Sequence, residues 1–169
     1  MAKSVFTNRK NKYNNKYIHA LMDNKGCVYS FPTKDMTALF VKQNTHLEFQ
    51  YQRFDSMLEF DRFKFLYGQQ RQKVISDLRT QVEFELIPSQ DYTEKVFMPN
   101  GVAKYKKRKM RGTKYIADFS YMRDGILVVE DTKSAITKRK PEYRMKKKLM
   151  LMFHNIVVME VEKKWVNKL

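Results

Sequence analysis

The sequence is poor in the residues that staple or punctuate small proteins. It has one cysteine, Cys27, and three scattered histidines, His19, His46 and His154. A single thiol closes no intramolecular disulfide and builds no zinc knuckle, and the histidines lack the spacing of a metal cluster. Five glycines and four prolines are too few for a flexible linker, and no repeat or low-complexity tract occurs. No long apolar run is present, and the basic opening MAKSVFTNRKNKYNNK leads into none. The expectation is therefore no signal peptide, no membrane span and a cytoplasmic protein. The same scarcity fits a His/Asn-centred ββα metal site poorly.

Negative charge is scarce too. Against 34 Lys and Arg there are 18 Asp and Glu, a net charge of +16. Such a surface attracts polyanions, and nucleic acid is the first partner to consider. A Lys-, Asn-, Tyr- and Phe-rich composition can also reflect an AT-rich genome, so charge supports binding and is silent on catalysis. Apolar residues make up 43% of the 169 and are spread along the chain, which suits one folded domain with a single core.

Periodicity gives the order of elements. Residues 1–46 read as a basic arm and extension, with the first twenty or so ordered only on DNA or a partner subunit; residues 47–169 read as the core domain. Leu47, Phe49 and Tyr51 alternate with polar residues, as in a half-buried strand. Ser56 and Glu59 have capping-box spacing and open a helix to about Gly68. Val82, Phe84 and Leu86 alternate with Glu83 and Glu85, a strand ending at Pro88. The basic stretch 104–114 contains Lys104, Lys106, Lys107, Arg108, Lys109, Arg111 and Lys114. It is either a DNA-contacting loop or hairpin, or a solvated projection. Residues 115–122 and 126–133 flank Asp124-Gly125, a strong hairpin signal. Pro141 then starts a helix with Met145, Leu149, Met152 and Phe153 on one face and Lys140, Arg144, Lys147 and Lys148 on the other. A last strand is expected at 156–162. The fold class expected is α/β of the α+β type, a mixed sheet flanked by helices in the order α-β-β-β-α-β.

The hairpin carries the chemistry. If Asp124 and Gly125 form the loop, Arg123 pairs with Ile126 and the register continues outward to set Asp118 opposite Asp131. Strand alternation then puts Lys133 on their face and Glu130 and Thr132 on the other. Two opposed carboxylates repel, and Asp is disfavoured in strands. A divalent cation offsets that cost, and oxygen ligands suit Mg²⁺ or Mn²⁺. With an ammonium to orient water and stabilise phosphoryl oxygens, these are the parts of a phosphodiesterase. The bland alternative is an Asp-Lys ion pair on an exposed sheet face.

The pattern Asp118, twelve residues, then Asp131-Thr132-Lys133 resembles the PD-(D/E)XK nuclease signature. A closer likeness is to a family of small, basic, phage-encoded proteins of that superfamily with FDS-x-x-E, Y-x-x-DF and EDxK motifs. Here these are residues 54–59, 115–119 and 130–133, and the likeness spans about residues 47–162. The resemblance implies a restriction-endonuclease-like core, metal ligation by Asp118 and Asp131 and a catalytic role for Lys133. It also implies that Glu59 reaches the metal; the local alternative is that Glu59 only completes the capping box. Ala117 stands where the signature has Pro, and Ser134 where Gly is common. Glu130 is a secondary candidate.

The function expected is a Mg²⁺-dependent DNA endonuclease, with Mn²⁺ substituting, acting as a homodimer on branched DNA in the manner of a Holliday-junction resolvase. Lys140, Arg144, Lys147 and the 104–114 run would contact phosphates. The alternatives are a non-selective or sequence-specific phage DNase, and a DNA-binding module that has lost catalysis.

Overall fold

A run of consecutively buried residues, Ala20 to Asp23, centres the first of three sheets. The computed structural model describes residues 17–168; most of the basic arm expected at 1–20 lies outside them. Strands β1 (Ile18–Asp23), β2 (Val28–Phe31) and β3 (Phe49–Phe54) form an antiparallel sheet in the order β2-β1-β3. The β1–β2 turn is held by the Asp23 carboxylate, which accepts the N–H groups of Lys25 at 3.0 Å and Cys27 at 2.7 Å. Gly26 within it has φ +85°, a conformation that favours glycine. Helix α1 (Lys34–Gln43), capped by Thr33, brings Phe40 against Tyr29 and Phe49. None of β1, β2 and α1 was anticipated within the 1–46 extension.

Helix α2 (Met57–Arg71) starts where the capping box puts it, with the Ser56 hydroxyl accepting the Glu59 N–H at 3.2 Å. Phe60 and Phe63 pack on Phe54. Arg62 is completely buried, and its guanidinium donates to the carbonyls of Val166 (3.1 Å) and Lys168 (2.8 Å), beyond a 3-10 turn at Lys163–Trp165. A buried charge persists where its donors are satisfied in this way. These elements, up to Ile75 and again from Lys163, form one compact unit, and Ser76–Glu162 form a second.

The second unit is α+β in composition, with a mixed sheet. Strands β4 (Ser76–Ile87), β7 (Thr113–Arg123), β8 (Ile126–Thr132) and β9 (Met159–Val161) are arranged β4-β7-β8-β9. The first two pairings are antiparallel and β8–β9 is parallel. The 90–110 segment is a hairpin: β5 (Gln90–Phe97) and β6 (Ala103–Met110) pair only with each other. The basic stretch is thus one arm of a hairpin, most of whose residues are exposed on both faces, a form that suits a DNA contact and a solvated projection alike.

Between β8 and β9 lie α3 (Ala135–Lys138) and α4 (Pro141–His154), which ends at Asn155 in the left-handed conformation, φ 55°. The apolar face expected for α4 is corrected. Met145, Met152 and Phe153 are exposed, while Tyr143 and Met150 are buried, with Leu149 partly buried beside them. They join Leu86, Tyr115, Ala117, Val129 and Val158 in the core. Burial follows the i, i+3/i+4 row through Tyr143, Lys147, Met150 and His154, in which lysine stems share the inner face and disguise it in sequence. Among the described residues no helix is long and apolar enough to cross a membrane.

Candidate active site

The β7–β8 turn is built as its residues demand: Asp124 (φ 51°) and Gly125 (φ 77°) are both left-handed, the requirement of a type I′ turn. Arg123 pairs with Ile126, and the ladder runs in register to Phe119–Glu130. There it stops, one pair short of the expected Asp118–Asp131 opposition. The strands part at this point, and the Asp118 carboxylate enters the gap. Its Oδ2 accepts the Thr132 backbone N–H and the Thr132 hydroxyl, each at 2.7 Å.

The neighbouring strand is irregular at the same level. Gln81, which the β4–β7 register would set opposite Asp118, has φ 52° and is absent from the ladder. Strand alternation consequently changes phase at Asp118. Tyr115 and Ala117 fall on the side of Val129 and Asp131, and Thr132, expected to turn away, is reached by Asp118.

Asp118, Asp131 and Lys133 nevertheless converge. The Lys133 ammonium donates to Asp131 Oδ1 and stands 3.7 Å from Asp118 Oδ2. Tyr115 donates its hydroxyl to Asp131 Oδ2. Asp131 is 1% exposed, and its carboxyl is pushed up to about 7. Burial is the main cause and the Asp118 charge the second, opposed by Lys133. Burial and the Asp131 charge also raise the Tyr115 phenol far above its ordinary value, so it stays a donor.

Tyr143 closes the site on the α4 side. Lys133 and Lys147 lie 6.0 Å and 5.8 Å from its ring centroid. Its buried hydroxyl lies near Tyr115, Asp131 and Glu160 without a well-formed hydrogen bond to any. Glu160 neighbours Asp131 in the β8–β9 register and accepts from Lys147 (2.7 Å) and Lys138 (3.0 Å). Burial opposes its charge, but those two hydrogen bonds prevail and hold its carboxyl below the usual range.

Glu59 makes local contacts of the kind that one of its two readings foresaw. Its carboxylate accepts the Asp55 N–H at 3.1 Å and lies 3.5 Å from the Ser56 hydroxyl. Glu130 is fully buried on the opposite face of β8, where Tyr121 donates to it at 2.5 Å. Sequence reasoning assigned no role to Tyr115, Thr132, Tyr143, Glu160 or Lys138. Tyr115 stood in the Y-x-x-DF motif and Thr132 in EDxK; the others depend on a parallel register and a helix face that no local pattern marks.

The basic residues are dispersed. Lys104, Lys106, Lys107, Arg108 and Lys109 are exposed on β6, Arg111 lies in the link to β7 and Lys114 at its start. Arg108 pairs with Glu94 at 3.0 Å and Lys114 with Glu83 at 2.7 Å. Lys140 occupies the cap position of α4 and Arg144 its exposed side.

Chemically, the site is a buried carboxylate pair with one ammonium. Among the described residues no three His, Cys, Asp or Glu side chains form a group able to hold a metal ion. Two carboxylates do fit Mg²⁺, which keeps several waters and is commonly held by one or two carboxylates together with substrate phosphate. The raised Asp131 carboxyl and the unsatisfied Tyr143 hydroxyl are both what a cation with its waters would relieve. No curated protein and no solved structure matches the chain. Residues 42–169 match a family described as a protein of unknown function, DUF1064, and the chain belongs to that family.

Proposed function

We propose that the chain is a divalent-metal-dependent DNA endonuclease, with Asp118, Asp131 and Lys133 at its centre and a restriction-endonuclease-like core of the PD-(D/E)XK kind. The observation that carries this reading is the electrostatic imbalance at Asp131. Two carboxylates and one ammonium share a buried space, and burial, with the Asp118 charge beside it, pushes the Asp131 carboxyl up to about 7 in spite of Lys133. A purely structural ion pair has no need of the second acid.

Asp118 and Asp131 would hold Mg²⁺ or Mn²⁺, which when bound polarises a phosphate and acidifies water. Thr132 fixes Asp118 from behind, and Tyr115 fixes Asp131. Lys133 donates to a non-bridging phosphoryl oxygen as the water oxygen bonds to phosphorus and the bond to the leaving oxygen breaks, the water's proton passing to solvent and the leaving oxygen gaining one from it. Branched DNA is the proposed substrate, cut by a homodimer, because two symmetric cuts call for two sites.

The test is incubation with labelled four-way junction, linear duplex and single-stranded DNA, in Mg²⁺, Mn²⁺ or EDTA. Wild type should nick the junction fastest and only with metal. Asp131→Ala and Lys133→Ala should bind without cutting, and each should lower the rate by at least about a hundredfold. Cleavage in EDTA, or variants as active as wild type, would refute the site.

A further inference from the structure

A groove between α4 and the chain that enters β9 takes no part in that chemistry. A cavity of about 370 Å³ opens there. Lys138, Arg144, Lys147 and Lys148 line it, against one carboxylate, Glu160. Lys138 and Lys147 are committed to Glu160, while no ion pair involves Arg144 or Lys148 among the described residues. The rest of the lining is apolar. Leu151 is 51% exposed and Val157 71%, with buried Val158 behind them.

A cavity of that size with two uncommitted cations and an apolar wall suits a ligand with a phosphate at one end and a flat apolar body at the other. An inorganic anion would use the cations and leave the wall wet. An acidic peptide would use the charges and gain little from the wall. A guanidinium is well shaped for phosphate oxygens, and an exposed aliphatic wall gains by covering a base or sugar. The groove also adjoins the carboxylate pair: Glu160, on its rim, is the register neighbour of Asp131.

We infer that this groove is a nucleotide subsite, taking one phosphate on Arg144 and Lys148 and the attached sugar and base against Leu151, Val157 and Val158. The inference rests on the nuclease reading for the identity of the polymer. It specifies which side of the carboxylate pair the strand occupies, and it assigns Lys148 and Val157 a role in binding. The Lys138–Glu160–Lys147 bridge is the partition between subsite and reacting centre, and it keeps Glu160 from competing with phosphate.

The test is an NMR titration of the full chain in EDTA with 5′-dAMP, and in parallel with inorganic phosphate, deoxyadenosine and a hexaglutamate peptide. Saturable shifts for dAMP should centre on Arg144, Lys148, Leu151 and Val157. Phosphate and nucleoside alone should each bind at least about tenfold more weakly, as expected when a charged hydrogen bond or the apolar contact is lost. Lys148→Ala should weaken dAMP about tenfold on the same grounds. Val157→Asp, at an exposed position, should abolish binding with the remaining spectrum unchanged. No saturation, shifts centred elsewhere, or phosphate or peptide matching dAMP would overturn the subsite. Binding in the groove by a protein that cuts no DNA removes the nuclease reading alone, and cutting without groove binding removes the subsite alone.

Discussion

Asp131 bears the largest electrostatic burden in the site. Its carboxyl rises from an ordinary 3.8 to about 7, so the folded state binds a proton more tightly than the unfolded one. The stability from the neutral acid is complete below about pH 4 and is lost as pH rises through about 7. The loss amounts to something on the order of 4 kcal/mol without a cation. Urea melts of metal-free protein between pH 5 and pH 8 should show this decline in wild type, and Asp131→Asn should flatten it. Equal slopes for the two proteins would contradict the assignment. Tyr115→Phe tests the neighbouring contact. It removes the donor that fixes Asp131 Oδ2 and should slow cleavage about tenfold or more, with DNA affinity unchanged in a filter-binding assay.

Among the elements, α4 and the β5–β6 hairpin separate most clearly into core and surface. Met150 is fully buried, and Met150→Ala should cost about 2–5 kcal/mol in a denaturant titration. Met152, on the face that periodicity favours, is 75% exposed, and Met152→Ala should change stability by less than about 0.5 kcal/mol. The β-hairpin around Asp124-Gly125 was legible because its turn residues impose a backbone shape by themselves. So was α2, whose cap is encoded at Ser56 and Glu59. The inner face of α4 was hidden because Lys147 and His154 share it. The parting of β7 from β8 was hidden too, since it depends on Asp118 capturing the Thr132 N–H and on Gln81 in another strand. The convergence of Asp118, Asp131 and Lys133 was readable because an acid facing another acid on a buried strand demands a partner; Glu160 arrives from a parallel strand whose register no local sequence specifies.

At the scale of the whole molecule the charge of +16 sets the response to salt. The β5–β6 hairpin pairs with no other strand and carries Lys104, Lys106, Lys107, Arg108 and Lys109 in the open. If it tracks a duplex, the double variant Lys106→Gln, Lys107→Gln should weaken binding uniformly across sequences. It should also flatten the slope of log affinity against log salt by about 2. An unchanged slope would make the hairpin a solvated projection. In the first compact unit β3 and α2 were read in advance, whereas two short strands, a ring cluster on Phe40, and a buried Arg62 that holds the chain near Val166 were not.

Asp118 and Asp131 are proposed to hold a divalent cation together. Electron paramagnetic resonance of Mn²⁺ titrated into the full chain at pH 8 measures this without substrate or turnover. Wild type should bind Mn²⁺ saturably, Asp118→Asn and Asp131→Asn should each lose that binding, and Glu130→Gln should keep it. Saturable binding that survives both Asp variants, or none in wild type, would rule out a cation shared by Asp118 and Asp131.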